Sequence, residues 1–174
     1  DWGELSAALD EESSRRYIAM TCHTDSAEAK KSYLDFVEHI EPQLKPRQFK
    51  LAQILISHPA CPQLPKQRFE VFIRDTKNQV ELFRPENVPL ETEEAKLSQQ
   101  YQKLVGSLTV MFRGEERTLV QMGRYLEEPD RVLRQEAWEV VANRRLRETD
   151  KFEEIFDRLL RHRHQIARNA GFEN

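Results

Sequence analysis

Apolar residues recur at helical spacing along most of this chain, and this periodicity limits what the chain can fold into. From Phe69 to Phe83, apolar side chains keep a helical period over fifteen residues. The alternation of Phe69, Val71 and Ile73 would also suit a strand, but the length of the pattern favours a helix. Similar stripes are formed by Ala29, Tyr33, Phe36, Val37 and Ile40, and by Leu97, Tyr101, Leu104, Val105 and Leu108. The pattern predicts a mainly α protein built as a helical array.

The charge content agrees with helices that have solvated outer faces. Charged residues make up 33% of the chain, against about 25% in an ordinary globular protein. The 27 Lys and Arg nearly balance the 30 Asp and Glu, and the recurring apolar residues argue against a disordered chain. The net charge of −3 argues against a dedicated nucleic-acid binder or anionic-membrane binder.

Capping residues and prolines indicate where the first helices begin and end. Asp25 and Glu28 have the spacing of a capping box, which predicts a helix from Asp25. Pro42 and Pro46 are expected to interrupt it, because proline lacks the N–H that an interior helix position needs. A second helix is predicted from about Pro46 to a stop before Pro59.

One short segment has the pattern of a β-hairpin. Leu108, Val110 and Phe112 alternate, residues 113–116 can turn, and the chain can then return. The sequence therefore predicts a hairpin over about residues 108–119, and this hairpin must pack on helices because it would be marginal alone.

Further boundaries lie on either side of the hairpin. Pro85 and Pro89 are expected to bound a loop. Thr118 and Gln121 match a second capping box, which predicts a helix after the hairpin, and Pro129-Asp130 restarts the chain.

The chain contains no convincing set of metal ligands or catalytic nucleophile. None of its five histidines lies in a His-Glu-x-x-His stretch, which would place two imidazoles on one helix face; they are His23, His39, His58, His162 and His164. Cys22-His23 and His58-x-x-Cys61 could be imagined as four zinc ligands, but adjacent Cys and His are poorly spaced for this. We expect buried or half-buried thiols, no metal bound by this chain and no catalytic residue in it.

Arginines near the end of the chain suggest a nucleic-acid surface at first sight; they are Arg144, Arg145, Arg147, Arg158, Arg161, Arg163 and Arg168. From residue 131 onward, however, ten basic residues face eight acidic ones, and no aromatic platform is interleaved. A solvated helix face is therefore favoured over a nucleic-acid partner. Arg163 falls on the apolar stripe seven residues after Phe156, so we expect it to extend along the surface or to be paired at a contact.

Neither a membrane span nor a signal peptide is expected. No run of 18 apolar residues occurs, and the N-terminus lacks the charged-then-apolar pattern of a signal peptide. These observations predict a soluble, cytoplasmic chain. Because it begins at Asp1-Trp2 without Met and stops just after Gly171, we also expect a piece of a longer protein.

Several segments of the C-terminal half, taken in order, resemble the N-terminal region of oligoendopeptidase F-like enzymes, a branch of the thimet-oligopeptidase family of zinc metallopeptidases. The segments are Leu104-Val105-Gly106, Phe112 to Glu116, Leu126 to Arg131, Arg134 to Trp138, and Arg163 to Phe172. The resemblance covers about Arg15 to Asn174, and it rests on the order and spacing of these segments together.

The resemblance implies a nearly all-helical enzyme that closes around short peptides in a deep channel. Its zinc would be held by a later helix with His-Glu-x-x-His and a downstream Glu, so no catalytic residue carries over to this chain. We accordingly predict a single N-terminal helical domain over residues 1–174. This domain would form one wall of the substrate channel, and its partner would be the catalytic C-terminal portion of the same polypeptide.

Two other functions stay open at this point. The first is a free-standing helical protein-binding or scaffold module without catalytic activity, and the second is a basic RNA-associated helical module. For a fragment of a peptidase, we also expect an exposed apolar patch near residues 152 to 172, including Phe156 and Phe172. Such a patch would make the fragment self-associate.

Overall fold

The computed structural model describes residues 2–173, which form eight α-helices and one β-hairpin. The helices are α1 (Trp2–Cys22), α2 (Ala27–His39), α3 (Glu41–Ser57), α4 (Lys66–Leu82), α5 (Asn87–Gly106), α6 (Leu119–Met122), α7 (Arg131–Leu146) and α8 (Thr149–Asn169). The strands are β1 (Thr109–Phe112) and β2 (Glu115–Thr118), and short 3-10 helices occupy Cys61–Gln63 and Gly123–Glu127. The expected mainly α fold with one short hairpin is confirmed. Across residues 2–173, no helix is both long and apolar enough to cross a membrane.

The described residues fall into two compact units. Unit 1 contains residues 2–33 and 96–159, and unit 2 contains residues 34–95 and 160–173. The boundaries between the units lie within α2, α5 and α8. A single domain over residues 1–174 stays a prediction.

Helix α1 has no apolar stripe from which the sequence could predict a helix. Met20 is its buried residue, and Glu11 and Glu12 form ion pairs with Arg15 and Arg16 at 2.6 and 2.7 Å. Acid-before-base pairs four residues apart stabilise a helix from its own surface. The prediction that the first helix begins at Asp25 is therefore wrong.

The expected boundaries of the next two helices also need correction. Ser26 caps α2 in place of Asp25, since the Ser26 Oγ accepts a hydrogen bond from the Ala29 N–H at 3.1 Å. Helix α3 already begins at Glu41, with Pro42 in its first turn. Backbone N–H groups in the first turn make no hydrogen bond within the helix, so proline is tolerated there. Pro46 lies inside α3, only one turn further along, so the predicted interruption between Pro42 and Pro46 is wrong.

Helix α4 confirms the helical interpretation of the Phe69 to Phe83 pattern. The loop expected between Pro85 and Pro89 is shorter than predicted, because α5 begins at Asn87 and contains Pro89 in its first turn. Proline is tolerated there for the same reason as in α3.

The hairpin is confirmed, with a tighter turn than the expected 113–116. Its strands are antiparallel, and Phe112 pairs with Glu115 across a two-residue turn. Arg113 and Gly114 have φ values of 52° and 85°. This left-handed pair matches the twist of the strands, and glycine adopts it without strain.

The second capping box is present at the end of β2. The Thr118 Oγ1 accepts from the Gln121 N–H at 3.2 Å, and the Thr118 N–H donates to the Gln121 Oε1 at 2.9 Å. The resulting helix α6 lasts one turn before the chain tightens into the 3-10 helix at Gly123–Glu127. Asp130 then caps α7, because its Oδ1 accepts from the Val132 N–H at 2.9 Å.

The hairpin packs on a hydrophobic core in unit 1. This core consists of Val110, Phe112, Met122, Tyr125 and Ala137, with Leu119, Leu133, Val140 and Val141 packed around it. Val110 and Phe112 point into the core, whereas Met111 between them is 66% exposed. The alternation in β1 therefore decides which face of the hairpin meets α7.

Unit 2 combines an aromatic stack with a polar network at the end of α8. The rings of Phe49 and Phe83 stack with their centroids 4.3 Å apart. The Asn169 Nδ2 donates to the Asn87 Oδ1 at 2.6 Å, and the Arg84 Nε donates to the Asn169 carbonyl at 3.0 Å. Asn87 is itself buried, so its amide is a structural partner for α8.

Candidate functional site

The residues considered as metal ligands do not converge. Within residues 2–173, no three His, Cys, Asp or Glu side chains lie close enough together to hold a metal ion. The His58 Nδ1 accepts a hydrogen bond from the Ala60 N–H at 3.1 Å. Cys61 is buried in unit 2, and Cys22 is exposed in unit 1. The residues of this part of the chain do not fit the zinc implied by the resemblance.

The arginines singled out in the sequence include two with clear structural partners. The Arg163 Nε donates to the Glu94 Oε1 at 2.8 Å, so Arg163 is paired at a contact within unit 2. Arg144 donates to the Thr109 carbonyl at 3.2 Å and to the Glu148 Oε1 at 2.8 Å. Arg144 therefore joins α7 to the first residue of β1.

Glu148 lies between α7 and α8, and its neighbours perturb its carboxylate. Hydrogen bonds from Lys151, at 2.6 Å, and from Arg144 lower the pKa of Glu148 below its ordinary value. Both partners stabilise the charged form. This ion-pair cluster fixes the turn from α7 into α8, and it contains no group suited to act as a general base.

Unit 1 contains an open, mostly apolar groove with a volume of about 1100 Å³. We call it the unit 1 groove. Its walls come from the end of α5, the start of α6, one face of α7 and the start of α8. The lining residues used below are Tyr101, Val120, Trp138, Arg145, Leu146 and Phe152.

Helix α7 supplies the groove with a second apolar stripe. Trp138, Ala142 and Leu146 follow one another at intervals of four residues, which places them on one helix face. Trp138 is 62% exposed and Leu146 is 67% exposed, whereas Ala137 on the other side of the helix is fully buried. Helix α7 thus packs on the core with one stripe and presents the other to the groove.

The other walls are held by contacts of their own. The rings of Tyr101 and Phe152 meet edge to face with centroids 5.8 Å apart, which joins α5 to α8. Gly106 leaves room for Thr24, since a Cβ at this glycine would lie 3.0 Å from the Thr24 Oγ1. Val120 projects from α6 and is 90% exposed.

The two threonine hydroxyls of the lining are already used within the protein. The Thr118 Oγ1 serves the capping box, and the Thr149 Oγ1 donates to the Leu146 carbonyl at 2.8 Å. Arg145 and Glu153 are the charged residues of the lining, and neither side chain has a hydrogen bond or ion pair within residues 2–173. The groove offers an apolar surface with two unpaired charges of opposite sign, which suits binding and not catalysis.

This groove was not predicted from the sequence, although α7 contains a signal for it. Trp138 was noted only as the end of the segment Arg134 to Trp138, and Leu146 was not considered. Two apolar stripes on one helix indicate two contact surfaces, of which the core can use one.

Two aromatic residues of the segment 152 to 172 are exposed, and a contiguous apolar patch over this segment stays a prediction. Phe156 is 63% exposed and Phe172 is 55% exposed. Other apolar residues of this segment are half-buried; they are Phe152, Ile155, Leu159, Ile166 and Ala170. Self-association through this segment stays a prediction.

Three solved structures resemble this chain over nearly its whole length. PZ peptidase A, solved with an inhibitor, is 33% identical with a TM-score of 0.84, over 91% of this chain and 28% of that chain. An oligoendopeptidase F from Bacillus anthracis str. Ames is 28% identical with a TM-score of 0.83, over 91% of this chain and 29% of that one. A further oligoendopeptidase F structure, at 3.1 Å, is 31% identical with a TM-score of 0.80, over 98% and 32%.

This chain therefore spans less than one third of each of these three proteins. No protein-family model and no curated protein sequence matches it.

Proposed function

Because the chain has an oligoendopeptidase F-like fold, we propose that it is the N-terminal, non-catalytic helical portion of a zinc-dependent oligopeptidase. The observation that carries the proposal is the match of 91–98% of this chain to peptidases about three times as long. In this proposal the zinc ligands and the general base belong to the remaining portion. The enzyme would act on short peptides in the cytoplasm.

The role of this chain in the proposal is to form one wall of the substrate channel. A wall of packed helices would exclude folded proteins and admit short, unstructured peptides. The long helices and the hydrophobic core of unit 1 support such a rigid role. The bound metal, when present, would activate water for peptide hydrolysis.

A free-standing helical binding module is the second candidate. The unit 1 groove favours it, because exposed Trp138 and Leu146 would form a protein-binding surface without any catalytic portion.

The reading frame beyond Asn174 separates the two candidates. We expect it to encode a helix with His-Glu-x-x-His and a downstream Glu. The complete polypeptide should then bind one zinc ion and hydrolyse a short fluorogenic peptide, and replacing either of the two histidines by Ala should abolish both. A stop codon directly after Asn174 would favour the binding module.

Residues 1–174 alone serve as the matched control. They should neither bind zinc tightly nor hydrolyse the same peptide, since their His and Cys residues offer no competent ligand set. Stoichiometric zinc that is lost in His58→Ala or Cys61→Ala would contradict this expectation.

A further inference from the structure

We propose that the unit 1 groove is the docking surface for an amphipathic helix of the remaining portion of the same polypeptide. The inference rests on the proposed function and names the surface by which the two portions of the enzyme would meet.

The dimensions of the groove suit a helix. Its volume of about 1100 Å³ lies beyond the usual range of about 300–1,000 Å³ for small-molecule sites. The stripe from Trp138 to Leu146 extends for about 12 Å along α7, at 1.5 Å per residue. An α-helix with its side chains is about 10–12 Å wide, so a helix of a few turns can lie in an open groove of this size.

The lining favours a helix over an extended peptide. A helix satisfies its own backbone N–H and C=O groups, whereas an extended peptide needs partners for them from the surface that binds it. The Thr118 and Thr149 hydroxyls in the lining are already bonded within the protein. The surface therefore offers mainly apolar contact, which is what the apolar face of a helix requires.

Trp138 is the expected anchor of the contact. Tryptophan is enriched among the residues that dominate interface energies, and Trp138 is 62% exposed beside Leu146 at 67%. Arg145 and Glu153 in the lining have no ionic partner within residues 2–173. A docking helix with one acidic and one basic residue flanking its apolar face would pair both charges and fix its direction.

The relatives indicate where this helix comes from. In each of the three similar structures, the part that matches this chain is 28–32% of a longer chain. A segment of the same polypeptide is present at a high effective concentration, so it outcompetes a free partner of equal affinity.

Cysteine labelling in the complete polypeptide tests the proposal. Val120→Cys places a thiol in the groove, and Val132→Cys places one on α7 outside the lining; these valines are 90% and 74% exposed. Both variants carry Cys22→Ser, which removes the exposed native thiol, while the buried Cys61 is kept. The labelled positions are identified by peptide mapping.

In residues 1–174 alone, both variants should react rapidly with a maleimide. In the complete polypeptide, Val120→Cys should react at least about tenfold more slowly, because labelling then requires local opening. Val132→Cys should react at the same rate in both proteins. In addition, Trp138→Ala should lower the Tm of the complete polypeptide more than that of residues 1–174.

Four results would overturn the proposal. The first is rapid labelling of Val120→Cys in the complete polypeptide, and the second is a polypeptide that ends at Asn174. The third is protection that appears only when a peptic digest of casein is added, which would make the groove a peptide site. The fourth is protection that rises with the concentration of residues 1–174, which would make the occupant a second copy.

The outcomes for the groove and for the proposed function are separable. A zinc-binding, peptide-hydrolysing polypeptide in which Val120→Cys stays reactive refutes the docking surface and leaves the proposed function intact. A longer polypeptide without zinc or hydrolysis in which Val120→Cys is protected refutes the peptidase and retains the docking surface.

Discussion

The core beneath the hairpin in unit 1 and the attachment of α8 within unit 2 depend on different kinds of contact. Unit 1 contains an apolar core in which the ring centroids of Phe112 and Tyr125 lie 4.9 Å apart and to which Ala137 of α7 also belongs. Unit 2 attaches the end of α8 through amides and charges, with Asn87 and Asn169 at its centre. The comparison shows that a helical array can be fixed by apolar volume in one place and by hydrogen-bond geometry in another.

The difference has an energetic consequence. Truncating a core side chain removes burial and leaves a cavity. Removing one partner of a buried hydrogen bond leaves the other partner unsatisfied, which costs less but depends on the specific pair. Truncating a side chain of the unit 1 core should therefore lower the free energy of unfolding more than removing one partner of the polar network in unit 2.

The largest effect is expected in the core of unit 1. Phe112→Ala should lower the free energy of unfolding by about 3–5 kcal/mol, measured by urea denaturation. Its neighbour Met111, on the opposite face of β1, is exposed. Met111→Ala should therefore change stability by no more than about 0.5 kcal/mol. Equal losses in both variants would show that the hairpin is not held by this core.

The next effect is expected in the polar network of unit 2. Asn87→Ala should lower the free energy of unfolding by about 1–3 kcal/mol, since the Asn169 amide and the Ile166 carbonyl lose a buried partner. Asn78→Ala, at an exposed position of α4, is the matched control and should be nearly neutral. A neutral Asn87→Ala would mean that apolar contacts alone hold α8 in unit 2.

A smaller effect should appear as a pH dependence in unit 1. Lys151 and Arg144 lower the pKa of folded Glu148, so the ion pairs contribute stability above the unfolded pKa of about 4.3. This contribution is lost as pH falls through the folded pKa. Urea denaturation between neutral and acidic pH should show a shallower loss of stability in Glu148→Gln than in the wild type. Glu154→Gln, at an exposed position of α8, should keep the wild-type profile.

The smallest effect is expected at Arg163. Its side chain is 64% exposed, so Arg163→Ala should lower the free energy of unfolding by no more than about 1 kcal/mol. High salt should reduce the difference from the wild type, and Arg161→Ala should have a still smaller effect. A steep, salt-dependent loss of RNA binding in Arg163→Ala would instead revive the RNA-associated alternative.

The sequence was sufficient for the elements whose signals are local. The stripes on α2, α4 and α5 predicted helices, and the alternation at Val110 and Phe112 predicted the hairpin. The capping box at Thr118 and Gln121 predicted the start of α6. Each of these signals depends on residues a few positions apart, so no knowledge of tertiary packing was needed.

The remaining features depend on position within the helix or on distant partners. Helix α1 was missed because it has no apolar stripe: Met20 is its buried residue, and ion pairs lie on its surface. The sequence predicts the start of the second helix at about Pro46 because sequence alone does not show that this helix begins at Glu41. The unit 1 groove was missed because it forms only when α5 and α8 lie beside the second stripe of α7.

The separation along the chain between contacting residues also predicts an order of folding events. The five buried residues of the core beneath the hairpin lie between Val110 and Ala137, so this core can collapse from neighbouring parts of the chain. The Arg84 and Asn87 bonds to α8 connect residues 85 and 82 positions apart, and closing such long loops is slow. On a ribosome, the core around the hairpin can assemble as soon as α7 has emerged. The hydrogen bond between Asn87 and Asn169 can form only after the last turn of α8 has been synthesised.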